Sequence, residues 1–137
     1  MSAGKLSHLQ INVKQENLPF YKELFTFLGW EPFFSGEGFE AFNSAGDVSL
    51  WFIGGATDAP NDPDGPGVNH LGLAAESQAV VDATVAYLGE HGVDCLFETP
   101  RHRPDFSQSE TDTYYQVMFA SPDGILFEHV YTGPKQG

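Results

Sequence analysis

Three side chains, distant in sequence, have types that suit a single ion: His8, His70 and Glu128. Glu128 lies in "SPDGILFEHVYT", where an Asp123-Gly124 turn opens a run of strand-forming residues. A carboxylate inside an apolar strand must meet water, a cation or a hydrogen-bond donor. His8 in "SHLQINV" and His70 in "NHLGLAA" each follow a small polar residue and precede alternating apolar positions. Two imidazoles and a carboxylate would hold Fe, Mn, Ni, Co or Zn and leave coordination positions for water or substrate. Each residue also has an ordinary reading. A strand histidine can simply be hydrogen-bonded and partly buried, and a strand glutamate can face solvent or a salt bridge.

The elements that must position these residues form an internal repeat. Aligning His8 with His70 matches Leu9 with Leu71 and Ile11 with Leu73. A helix should follow each strand. In "NLPFYKELFTFLGW", Asn17 is the cap, Pro19 lies in the first turn, Gly29 ends the helix, and Leu18, Tyr21, Leu24, Phe25 and Leu28 form the apolar stripe. In "ESQAVVDATVAYLGEHGV", Ser77 caps and Gly92 ends. Three strand-like pieces follow each helix: "EPFFSG", "FEAFNS" and "DVSLWFI" in the first half, "DCLFET", "TYYQVMFA" and "GILFEHVYT" in the second. The spacing predicts an α+β fold of two paired βαβββ modules, about 5–54 and about 67–132, joined by a Gly-, Pro- and Asp-rich linker at about 55–66. We read residues 1–137 as one domain, a curved, partly open sheet around a pocket with helices outside. Strand parity puts His8 and His70 on the face away from the helices and His129 on the face opposite Glu128.

Composition sets outer limits. Hydrophobic residues at 41% and aromatics at 14% are enough for a core. Six Lys+Arg against nineteen Asp+Glu, a net charge of −13, repel nucleic acid and anionic membranes and attract cations. No apolar run is long enough for a membrane span, and "MSAGKLSHLQINV" lacks the pattern of a secretory signal. The lone Cys95 excludes internal disulfides and fits a cytoplasmic setting.

With this layout the chain resembles the vicinal oxygen chelate superfamily, which includes glyoxalase I, extradiol dioxygenases, fosfomycin-resistance transferases and bleomycin-resistance binding proteins. The carriers are "LSHLQINV" with "FYKELFTFLGW", then "GVNHLGLAAES", then "YYQVMFASPDGILFEHV", from about Leu6 to Thr132. The resemblance implies metal ligands on the first, fifth and eighth strands, at His8, His70 and Glu128. It also implies a fourth carboxylate or amide ligand in glyoxalase I, at a place we align with Leu50, which cannot ligate; sliding the register by one gives Ser49 or Trp51, neither a convincing ligand. That departure argues against glyoxalase I chemistry.

The second half carries 16 more residues than the first between histidine and ligand strand, which we assign to a loop within "ETPRHRPDFSQSETDTYY". Glu128 and Tyr114 are the expected catalytic groups. Arg101, His102, Arg103 and Trp51 are the expected substrate contacts, although loop arginines often only pair with nearby acids. The expected function is a divalent-metal-dependent enzyme of the glyoxalase/dioxygenase type, acting on a small oxygen-bearing substrate. The alternative is a metal-free drug-binding protein of the bleomycin-resistance type, whose cationic ligand the acidic charge would suit. A homodimer is expected because open sheets leave edges to cover.

Overall fold

The structure is a computed structural model and describes residues 4–44 and 47–137. Met1–Ala3, the start of the stretch read as lacking a signal, lie outside the described residues. The chain divides into two compact units, Met1–Pro60 and Asn61–Gly137, and the boundary falls inside the predicted linker.

The first unit runs β1 (His8–Asn12), α1 (Leu18–Phe27), β2 (Glu31–Gly36), β3 (Phe39–Asn43) and β4 (Ser49–Ile53). The second runs β5 (His70–Ala74), α2 (Gln78–Glu90), β6 (Leu96–His102), β7 (Asp112–Ala120) and β8 (Leu126–Pro134). Each unit is therefore the predicted βαβββ module. Its four-stranded sheet is mixed and open, ordered β1-β4-β3-β2 in one unit and β5-β8-β7-β6 in the other. The first strand pairs in parallel with the last in both.

Helix α1 follows a 3-10 turn at Gln15–Asn17, and Asn17 sits at its cap position without a side-chain capping bond. Its stripe buries Leu18, Tyr21, Leu24 and Phe25. Tyr21 stacks on Phe52 of β4 at 4.5 Å, and Phe25 packs against Phe42 and Phe52. Each fully buried side chain of this size contributes about 1.5–3 kcal/mol of transfer free energy. In α2 the Ser77 hydroxyl accepts from the Val80 amide, as the sequence predicts. The helix buries Val81, Thr84 and Leu88, whereas Val80 faces outward.

Two readings need correction. The stretch expected to hold the extra loop is mostly ordered structure. β6 extends to His102, a 3-10 turn covers Pro104–Phe106, and β7 starts at Asp112. Between Leu96 and Arg101 the register slips into a bulge, where Phe97 and Glu98 take φ values of 56° and 62°. That left-handed region is unusual for side chains of this size. The second correction is the residue equivalent to Glu128. Gly72 lies opposite Glu128 in the β5–β8 ladder, two residues after His70. In the β1–β4 ladder Gln10, two residues after His8, lies opposite Trp51. Trp51 therefore holds the place of Glu128, and Leu50 points into the core under α1 with 3% exposure. An indole ligates no better than leucine, so the first module still lacks a carboxylate at this position.

Candidate functional site

In the second unit a cavity of about 600 Å³ opens on the sheet face away from α2. Its lining draws on β5 (His70), the β6–β7 segment (Arg103, Phe106), β7 (Tyr114, Gln116, Met118) and β8 (Leu126, Glu128). Strand parity gathers these residues, because alternate positions of β7 and β8 share one face. The opposite face of β8 packs toward α2, where buried His129 meets Thr84 Oγ1 at 2.9 Å through Nδ1. His129 therefore lies on the face away from the cavity, as its parity predicts. Burial holds its imidazole below the ordinary range, partly offset by a hydrogen bond from the ring to the Ala74 backbone.

A chain of hydrogen bonds fixes a proton on His70 Nδ1. Asn69 Nδ2 donates to the Pro63 carbonyl at 2.8 Å, which orients the amide with Oδ1 toward His70. His70 Nδ1 lies 2.8 Å from that Oδ1. An amide oxygen only accepts, so Nδ1 carries a proton, which in a neutral ring leaves the lone pair on Nε2. Nε2 faces Glu128 Oε1 across 3.8 Å. In the first unit Ser7 Oγ takes the corresponding place beside His8 Nδ1, at 3.1 Å, but a hydroxyl both donates and accepts and so fixes no tautomer.

Glu128 is only 5% exposed, and donors surround it. The Tyr114 hydroxyl donates to Oε1 at 2.8 Å, and Gln116 Nε2 donates to Oε2. Arg103 Nη1 donates to Gln116 Oε1 at 3.2 Å, which turns the Gln116 amino group toward Glu128. Arg103 itself is held by Asp105 and lies 4.4 Å over the Phe106 ring. The hydrogen bond from Arg103 holds the Asp105 carboxyl low, and Asp105 in turn raises the guanidinium. Burial, then the hydrogen bond to Glu128, pushes the Tyr114 phenol up to about 12. At neutral pH Tyr114 is thus a proton donor and not a base. Room for the carboxylate comes from Gly72, where a Cβ would stand 3.3 Å from Glu128 Oε1.

The expected site residues are therefore partly gathered. His70, Glu128, Tyr114 and Arg103 share the cavity. Arg101 lies outside its lining, and its Nη1 is 3.8 Å from Glu98. His102 falls between two arginines on an alternating strand and faces the other way. It meets Thr113 Oγ1 and lies 4.7 Å from the Tyr115 ring. His8 and Trp51 belong to the first unit, where they line a cavity of about 370 Å³. Among the described residues no group of three or more His, Cys, Asp or Glu is placed to hold a metal ion. Sequence reasoning missed Asn69, Gln116, Phe97 and Phe106. Only the shared polar residue before each histidine hinted at one of them.

The sequence profile of the glyoxalase/bleomycin resistance protein/dioxygenase superfamily matches residues 5–129. The chain belongs to that superfamily. Its fold is also that of solved superfamily structures. A candidate glyoxalase from Bacillus halodurans is 27% identical, with a TM-score of 0.76 over 93% of this chain and 96% of that one. A glyoxalase/bleomycin resistance protein from Albidiferax ferrireducens is 21% identical, with a TM-score of 0.69 over 92% and 98%. TnmS3, an antibiotic binding protein from a Streptomyces species, is 22% identical, with a TM-score of 0.60 over 98% and 99%. No curated protein has detectable sequence similarity to the chain. No helix among the described residues is long and apolar enough to cross a membrane.

Proposed function

We propose that this superfamily member is a divalent-metal-dependent enzyme acting on a small oxygen-bearing substrate, with its reaction centre at the His70–Glu128 cavity. The observation that carries the reading is the pairing of two acceptors. His70 Nε2, its tautomer set through Asn69, faces a buried carboxylate oxygen 3.8 Å away. Two lone-pair donors aimed at each other favour a cation between them, and imidazole with carboxylate is a common donor pair for divalent transition metals. His8, of this or a second copy, is the proposed third donor.

A divalent ion held there would act as a Lewis acid, binding substrate oxygens and stabilising the negative charge that develops on them. The remaining roles belong to protein groups. Tyr114 and Gln116 hold Glu128 in one rotamer, and Arg103 holds Gln116. Phe97 and Phe106 supply apolar wall for the carbon frame of the substrate. The bulge strain at Phe97 is consistent with a functional position.

One observation favours a second reading, a metal-free binding protein. Both Glu128 oxygens already accept from Tyr114 and Gln116, so the carboxylate is satisfied without an ion. Elemental analysis of protein purified without chelator separates the two readings. The enzyme reading expects bound or readily loaded divalent metal, lost in His70→Ala and Glu128→Ala and weakened in His8→Ala. It also expects turnover in screens with catechols, fosfomycin and thiol, or the methylglyoxal–glutathione adduct, with the last of these poor. Wild-type protein that neither carries nor takes up metal would leave the binding reading in its place.

A further inference from the structure

A further cavity in the second unit, of about 770 Å³, shares no lining residue with the His70–Glu128 cavity. It lies where the β6–β7 connection meets the end of β8. His102 and Thr113 line it from the strand faces opposite Arg103 and Tyr114.

Its walls are braced from within. Ser107 Oγ donates to the Pro104 carbonyl at 2.9 Å, and Ser109 Oγ accepts from the Asp112 amide at 3.2 Å. Thr113 Oγ1 meets His102 Nδ1, and the His102 ring tilts against Tyr115. The Tyr115 hydroxyl in turn donates to Asp82 of α2 at 2.6 Å. The segment carrying Lys135 is held on both sides. The Lys135 amide donates to the Thr111 carbonyl at 3.1 Å. Gln136 and Gln78, at the start of α2, exchange two hydrogen bonds of 2.6 and 2.9 Å.

The hydroxyls are thus engaged in the scaffold. Four other polar side chains on the lining are not. Gln108, Glu110, Asp112 and Lys135 make no side-chain hydrogen bond or ion pair among the described residues. Two carboxylates stand against one ammonium, and the amide can serve a partner of either sign. A simple cation would leave Lys135 unmatched, and a simple anion would meet two carboxylates. The complementary ligand carries two positive groups and one negative group. A basic α-amino acid has that inventory, and the cavity is large enough for one.

We infer that this cavity binds a basic α-amino acid, its carboxylate on Lys135 and its two cationic groups on Glu110 and Asp112. The site needs no metal and stands apart from the reaction centre proposed above.

The test titrates full-length protein with three probes at low ionic strength. L-arginine carries all three charges, agmatine lacks the carboxylate, and L-citrulline lacks the side-chain charge. Backbone amide NMR signals report where each binds. L-arginine should give saturable shifts at Gln108, Glu110 and Lys135 in the millimolar range. Each analogue should bind several-fold more weakly, since one charge pair at an open site is worth a few-fold. Lys135→Met should weaken L-arginine several-fold and leave agmatine unchanged, whereas Glu110→Gln should weaken both. Both side chains are exposed, so unaltered thermal melts separate lost binding from lost folding. Agmatine binding as tightly as L-arginine would reduce the site to an acidic patch and overturn the inference. Shifts confined to the His70–Glu128 cavity, or no saturation at tens of millimolar, would overturn it too. His70→Ala should bind L-arginine as the native protein does. Failure here therefore leaves the metal reading intact, and failure of metal uptake leaves this one intact.

Discussion

Asn69 is a small side chain with a large assigned task. It links the Pro63 carbonyl to His70 Nδ1 and holds a proton there, which in a neutral ring leaves the lone pair on Nε2. Asn69→Ala should therefore weaken divalent-metal affinity by about 10–100-fold, the usual cost of losing a hydrogen bond behind a histidine ligand. A metal titration beside a thermal melt checks this, and the melt should barely move because Asn69 is exposed. Tyr114 acts on Glu128 from the other side. Tyr114→Phe removes a donor from a buried carboxylate and should cost about 1–3 kcal/mol of folding stability in urea unfolding. An unchanged midpoint would mean that the phenol contributes nothing to holding Glu128. At this scale the sequence told part of the story. The histidines and Glu128 were visible as polar residues on apolar strands. Gln116 was not, because a glutamine within "TYYQVMFA" looks like any solvent-facing strand residue until Arg103 and Glu128 are brought to its two ends.

Elements explain why some expectations succeeded and others failed. Helices α1 and α2 were legible because their stripes follow a 3.6-residue period and Gly29 and Gly92, at φ of 86° and 70°, mark their ends. The register of β4 was not legible. In "SLWFI" every side chain is apolar or small, so a period of two leaves no contrast between faces, and Leu50 and Trp51 read alike. The bulge after Leu96 was equally silent, since no glycine or asparagine marks its left-handed residues. The contact of β8 with α2 makes a pH prediction. His129 is buried against Thr84 and held neutral by burial, so in the folded state it binds its proton only below the ordinary value of 6.5. The unfolded chain takes that proton near 6.5, so this contribution to stability is whole above 6.5 and is lost as pH falls toward the lower folded value. Unfolding free energy should decline by up to about 1.4 kcal/mol per pH unit just below 6.5 from this group. His129→Gln should flatten that part of the curve in denaturant titrations at stepped pH, and an unaltered slope would rule the histidine out as its source.

For the whole molecule, the repeat puts a carboxylate in one cavity and an indole in the equivalent place of the other. The composition made the double module readable, because the two strand–helix–strand patterns run in the same order. It did not reveal what each cavity holds. Open sheets leave edge strands, and β2 and β6 expose Phe33, Phe34 and Phe97. We expect a homodimer in solution, so sedimentation should give about twice the 15.0 kDa chain mass at micromolar concentration. A single-chain mass would refute that expectation and would leave any third donor to this copy alone.

The central claim is that His70 Nε2 and Glu128 form a donor pair for a divalent ion, and nitrogen-15 NMR of the histidine side chains during zinc titration addresses it most directly. The account predicts that His70 carries its proton on Nδ1 before zinc is added, and that about one equivalent per chain shifts its Nε2 signal to a bound position. The same titration of Glu128→Ala should leave the ring largely undisturbed. A His70 protonated on Nε2, or an Nε2 signal that ignores zinc in the native protein, would contradict it.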